Sequence, residues 1–235
     1  MSANAEVLQG ARLMESAARE ISLPCAEAPG MVGGWSPQNF AREQIRGLVR
    51  RVFFASEARP VRQVVFCPVE PHSGMGAICD QVARALALET HSAIAVLSRD
   101  VPATEAAMPY PHHDGDAIRS WATRLAINLW RVPEFSLCQT GEEAGTGCYW
   151  RARLSELQNE FEYTVIHGPA AGLSSEAALL GQLADGIILV LDAHSTRRAT
   201  ARKTKETLQG ASSKILGTVL SERAFPVPES IYRRL

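Results

Sequence analysis

Apolar and polar residues change rhythm along this chain. Between Pro37 and Phe54, Ile45, Leu48, Val49 and Val52 recur at the three- and four-residue spacing of a helix, with Arg42, Arg46 and Arg50 stacked on another face. Farther on, short apolar runs alternate with amphipathic stretches. The runs predict strands over Val61–Cys67, Ala93–Leu97, Leu125–Trp130, Tyr163–His167, Gly186–Leu191 and Ile215–Leu220. Ile187 to Leu191 is continuously aliphatic, which suits a strand buried on both faces. Between the runs, helices are predicted over Gly76–Thr90, where Ile78, Val82, Ala85 and Leu86 share a face, and over Ser174–Leu183 and Thr196–Gln209. Shorter ones are expected near Asp116–Thr123 and Gly147–Asn159. This alternation predicts an α/β fold, a mostly parallel central sheet with helices on both faces. Ahead of it, residues 5–21 carry a weak amphipathic helix that breaks at Pro24, and 22–37 are rich in Pro, Gly and Ser. The expected organisation is therefore an N-terminal helix and linker over 1–36 and one α/β domain over 37–235.

Charge and composition narrow the function by exclusion. Lys plus Arg total 24 against 25 Asp plus Glu, so no global field favours nucleic acid, and none is expected as a partner. The five cysteines are odd in number and lack Cys-x-x-Cys spacing, which argues against a disulfide framework and a structural zinc site. The first residues have neither a basic stretch with an apolar core nor a Gly at position 2, and no apolar run approaches the ~20 residues that span a bilayer. A cytoplasmic protein is expected, peripheral to a membrane only through a partner.

The segment with most chemical content is 64–87. It has the layout of a phosphate-binding loop between a strand and a helix, with the usual chemistry missing. Such a loop needs glycines for close backbone approach, a lysine for the β- and γ-phosphates and a hydroxyl for magnesium. Gly74 keeps the turn, but Met75 stands at the lysine position and Gly76 at the hydroxyl position. The first lysine in the chain is Lys203.

The ordered segments resemble the cytoplasmic kinase-like domain of bacterial tyrosine autokinases (BY-kinases) for capsule and exopolysaccharide export, relatives of deviant-Walker ATPases of the cell-division and partitioning type. The resemblance runs from about Pro37 to Leu235. Its most specific piece is Ile215 to Leu235, a strand leading into a Pro226-Val-Pro228 tail with Ile231-Tyr232. Phe161 to Pro169, followed by Leu183 to Leu191, also looks like the family's Walker B strand and the strand beyond it. The resemblance implies a P-loop NTPase fold, and it is informative where it fails. The first aspartate of the second acidic motif falls on Ser98, with Asp100 matching only the second acidic residue, and the Walker B aspartate falls on His167. Together with Met75 and Gly76, these exchanges remove the charges on which phosphoryl transfer depends. No catalytic residue and no metal site are expected, and only weak binding of ATP with magnesium at a vestigial site of Gly74, Met75, Gly76, Ser98, Asp100 and His167.

By the same resemblance, Glu43, Arg46 and Arg50 look like an oligomerisation motif in which Val49 takes the last arginine position and Arg50 is displaced by one, ~100° around the helix. Homo-oligomerisation stays open beside an ordinary helix with i,i+4 pairs. The function implied is a catalytically impaired regulator or scaffold in exopolysaccharide production, bound to the cytoplasmic segment of a membrane chain-length regulator. The alternatives are an active tyrosine kinase with a rearranged loop, in which Arg84 or a partner's arginine replaces the lysine, or a partitioning-type ATPase. Other groups read more plainly. His112, His113, Asp114 and Asp116 read as a solvated loop, and Tyr232 as part of a packed tail. Arg197, Arg198, Arg202, Lys203 and Lys205 read as a solvated helix face.

Overall fold

Why the apolar runs become a sheet is plain from their surroundings. The structure, a computed structural model, describes residues 37–55, 60–72, 74–99, 118–133 and 147–222. Seven strands form one sheet in the order β3-β4-β2-β5-β1-β6-β7. They are β1 (Gln63–Pro68), β2 (Ile94–Ser98), β3 (Thr123–Ala126), β4 (Leu129–Pro133), β5 (Tyr163–His167), β6 (Gly186–Asp192) and β7 (Ile215–Ser221). All pairings are parallel except β3 with β4. β1 is buried along its whole length between β5 and β6.

Two apolar layers cover the sheet. On one face lie α1 (Pro37–Phe53) and α2 (Met75–Glu89). On the other lie α3 (Ile118–Trp121), α4 (Gly147–Glu160), α5 (Glu176–Leu183) and α6 (Arg198–Gly210). Alternation along β1 divides its side chains between them. Val64 and Phe66 join Val49, Phe53, Met75, Val82 and Leu86, whereas Val65 and Cys67 join Trp150, Leu157, Leu180 and Leu208. Each fully buried Val, Leu, Ile, Phe or Met stabilises by about 1.5–3 kcal/mol.

Two expectations need correction. The predicted strand Leu125–Trp130 is a hairpin, with β3 and β4 joined antiparallel through Ile127 and Asn128. Asn128 sits inside the apolar run and turns the chain there. Its Nδ2 donates to the carbonyls of Ala87, Thr90 and Ser92 at 3.1, 2.8 and 3.3 Å, fastening the turn to the end of α2. Of the helix expected near Asp116–Thr123, the described residues show Ile118–Trp121, and it stops short of Thr123 because Thr123 already pairs with Arg131 in the hairpin. The expected helix over 5–21, the loop holding His112 to Asp116, and Tyr232 lie outside the described residues.

Candidate functional site

Connections leave the neighbouring strands β1 and β5 in opposite directions. β1 continues through α2 on one face to β2, whereas β5 continues through α5 on the other face and crosses β1 to reach β6. A crevice opens beyond the carboxyl ends of strands at such a switch, the usual place for a ligand in an open α/β sheet. A cleft of about 420 Å³ lies there, lined by Pro68, Pro71 and His72 after β1, Arg99 after β2, and His167 to Ala170 at the end of β5.

Close backbone approach shapes its floor. A Cβ on Gly168 would meet Cys67 Sγ at 2.5 Å and Val65 Cγ1 at 2.7 Å, and one on Gly172 would meet the Val69 carbonyl oxygen at 2.6 Å. Only glycine lets the segment after β5 lie this near β1, where Gly168 N–H donates to the Phe66 carbonyl at 2.9 Å. Burial pushes the Cys67 thiol up to about 12, more than the neighbouring Arg99 charge lowers it, so this sulfur stays protonated and inert.

The sequence-derived site residues separate. His167 ends β5, 8% exposed, and lines the cleft. Gly74 caps α2 without a side-chain hydrogen bond, and the His72 ring lies against it, with Nε2 only 3.1 Å from where a Cβ would stand. Met75 turns away. It is wholly buried and packs with Val64, Phe66, Cys79, Ile188 and Val190 beneath α2. Gly76, in the first turn of α2, and the buried Ser98 at the end of β2 are not among the cleft-lining residues. Asp100 lies outside the described residues.

Two side chains that sequence reasoning passed over complete the cleft. His72 lies inside the loop segment itself. Its Nε2 is buried and makes no hydrogen bond. Arg99 follows Ser98 and lies at 3.4 Å from Glu176 Oε2, whose other oxygen accepts the Trp150 indole N–H at 3.0 Å. The signal was a cation two positions beyond the predicted strand end at Leu97. Arg84, the arginine considered as a stand-in for the lysine, is exposed on α2 and does not line the cleft. Beside the cleft, Asp192 closes a turn after β6. Its carboxyl is held below the usual range by the His194 N–H and the Ser195 hydroxyl, with a smaller pull from His72.

No family model matches the chain. Tyrosine-protein kinase CpsD of Streptococcus agalactiae serotype III (strain NEM316) is 34% identical over 74 residues, 32% of each chain, so the match spans about a third of that relative's length. The putative tyrosine-protein kinase CapB of Staphylococcus aureus is 20% identical over 207 residues, 83% of this chain and 90% of the relative. The chain is a relative of bacterial tyrosine kinases. Its fold agrees with that of the tyrosine kinases. The chimerical protein CapA2B2 superposes with a TM-score of 0.62 at 17% identity, over 88% of this chain and 97% of the other. The kinase domain of Escherichia coli tyrosine kinase ETK gives 0.58 at 12% identity, over 89% of each. The Aquifex aeolicus cell-division protein MinD gives 0.53 at 13% identity, over 68% and 69%.

The described residues do not fit a magnesium triphosphate. The position that a tyrosine-kinase loop would give to lysine is sealed in the core, position 76 has no hydroxyl, and imidazole stands at the end of β5. Among the described residues no group of three or more His, Cys, Asp or Glu could hold a metal ion.

The motif on α1 is engaged within the chain. Arg46 reaches Glu43 at 2.8 Å and Glu89 at 3.2 Å, and Arg50 meets Glu89 through Nη2 at 3.0 Å and Nε at 3.2 Å. Glu89 ends α2, roughly 20 Å along its axis from Gly74 at ~1.5 Å rise per residue. Arg197, Arg198, Arg202, Lys203 and Lys205 are exposed on or beside α6, and Arg202 pairs with Glu206 at 3.0 Å.

Proposed function

We propose that this chain is a kinase-like regulator or scaffold of exopolysaccharide or capsule production that no longer transfers phosphoryl groups. It acts by contact with the cytoplasmic segment of a membrane chain-length regulator. The observation that carries the reading is Met75. A lysine in that position supplies an ammonium to the phosphates. Here the side chain is an apolar wedge under α2, at 0% exposure. Phosphoryl transfer draws its rate from positioning and from charges aimed at the transferring group, and the exchanges at 75, 76, 98 and 167 withdraw four of those contributions together.

What remains is the scaffold that recognition needs. The sheet, its two helical layers and the α1 face persist without the nucleotide chemistry, so a partner surface inherited from a kinase can be kept after catalysis is gone. No helix among the described residues is long and apolar enough to cross a membrane. Recruitment to the membrane therefore comes through the partner in this reading.

Arg99 favours a second reading, an active tyrosine kinase in which this guanidinium replaces the missing lysine. Incubating the purified chain with radiolabelled ATP, magnesium and a tyrosine polymer separates the two. The first reading expects phosphate release and phosphotyrosine at the level of a protein-free control. Turnover that disappears in Arg99→Gln would establish the second. A chain that binds no membrane chain-length regulator in a pull-down with its cytoplasmic segment would remove the partner half of the proposal.

A further inference from the structure

We propose that the cleft at the carboxyl ends of β1, β2 and β5 binds a phosphoryl-type oxyanion directly, without a divalent metal, through His72, His167 and Arg99. The inference rests on the reading that the metal chemistry of this site is lost, and it names what the remaining chemistry takes instead.

The exchange at His167 changes the sign of the site rather than merely emptying it. A carboxylate at the end of β5 attracts a metal cation, which then attracts phosphate. An imidazole there donates to an anion and, when protonated, repels the metal. The described residues lining the cleft include three basic side chains and no carboxylate. His72 is half-buried and lines the cleft, and its Nε2, which makes no hydrogen bond, is buried against Gly74. Pro68, Pro71 and Pro169 supply apolar walls that limit hydration and strengthen each charge–charge contact. A volume of about 420 Å³ is at the small end for ligand pockets, suited to an oxyanion with a modest group attached.

Nearby charges set the conditions. Asp192, at the end of β6, interacts electrostatically with His72, which helps hold the Asp192 carboxyl below its usual range. Glu176, on α5, lies 3.4 Å from Arg99, longer than a good charge-assisted hydrogen bond, and an incoming anion would compete with it for the guanidinium. Arg99 also sits near Cys67, which stays neutral.

Calorimetric titration of the full chain with sulfate, inorganic phosphate and ADP, each in EDTA and in millimolar magnesium, tests the proposal. Sulfate remains a dianion throughout, so its pH dependence reports the protein. The proposal expects one saturable site in EDTA that magnesium does not strengthen. Sulfate affinity should fall at least roughly tenfold as pH rises from about 5.5 to about 8, across the ordinary histidine range. Arg99→Gln and His167→Asn should each weaken it severalfold. The wild-type pH and EDTA arms decide the matter even where a variant fails to fold. ADP binding tighter than phosphate identifies a nucleotide as the source of the phosphoryl group, and equal affinities identify the free oxyanion; both support the site. Absence of saturable binding, or sulfate affinity that ignores pH, overturns this inference and leaves the loss of catalysis standing. Binding that requires magnesium overturns both.

Discussion

The two ends of β1 are built by different rules. At the amino end, Gln63 is 1% exposed and its polar groups have partners. Its N–H and that of Arg62 donate to Asp185 Oδ2 at 2.8 and 2.7 Å, its Nε2 donates to the Leu154 carbonyl at 2.8 Å, and its Oε1 accepts from Gln158 at 3.0 Å. At the carboxyl end, His72 Nε2 is buried without a hydrogen bond, and His167 and Arg99 crowd basic groups around one cleft. One end is finished as structure. The other carries the marks of a binding site, and Met75 divides the two, because its position belongs to the site by sequence and to the core by packing.

Substitutions can break that comparison, and the largest effect is expected at Met75. Met75→Lys places an ammonium among Val64, Phe66 and Val190 with no counter-charge in the cluster, and should lower unfolding free energy by about 3–5 kcal/mol in urea melts. Met75→Leu should cost less than about 1.5 kcal/mol. A Met75→Lys protein as stable as wild type would mean that position 75 opens to the cleft after all. Next comes Asp185→Ala at the amino end. It strips the acceptor from two backbone N–H groups and should cost about 2 kcal/mol by the same measurement.

How much of this was legible in the sequence follows the same division. The strands came from apolar runs, and Tyr163–His167 is observed where it was predicted, because a buried parallel strand leaves a local record in five consecutive residues. The β3–β4 hairpin was not legible, since its turn depends on Asn128 reaching carbonyls of α2 some 40 positions away. Glu89 as the partner of Arg46 and Arg50 was hidden for the same reason. In the site, the residues at positions 75 and 167 on which the proposed loss rests could be read from position alone. The gain of a basic cleft could not, because Arg99 and His72 converge only when β1 and β2, separated by β5, end at the same rim.

Smaller effects sharpen the comparison. Arg50→Ala removes a pair whose arginine is 61% exposed, so its cost should be about 0.5 kcal/mol and should shrink as salt is raised to about 1 M. His72→Leu should change stability by no more than about 0.5 kcal/mol, or raise it, because it deletes a buried nitrogen that makes no hydrogen bond. A loss of about 2 kcal/mol in His72→Leu would place His72 with Gln63 among the structural polar groups.

Titration of the wild-type chain with ATP by calorimetry, once in magnesium and once in EDTA, bears most directly on the claim that this fold has outlived its nucleotide chemistry. Heats that are the same in both conditions, with no micromolar affinity created by the metal, are the predicted result. Micromolar binding that appears with magnesium and vanishes with EDTA would contradict it.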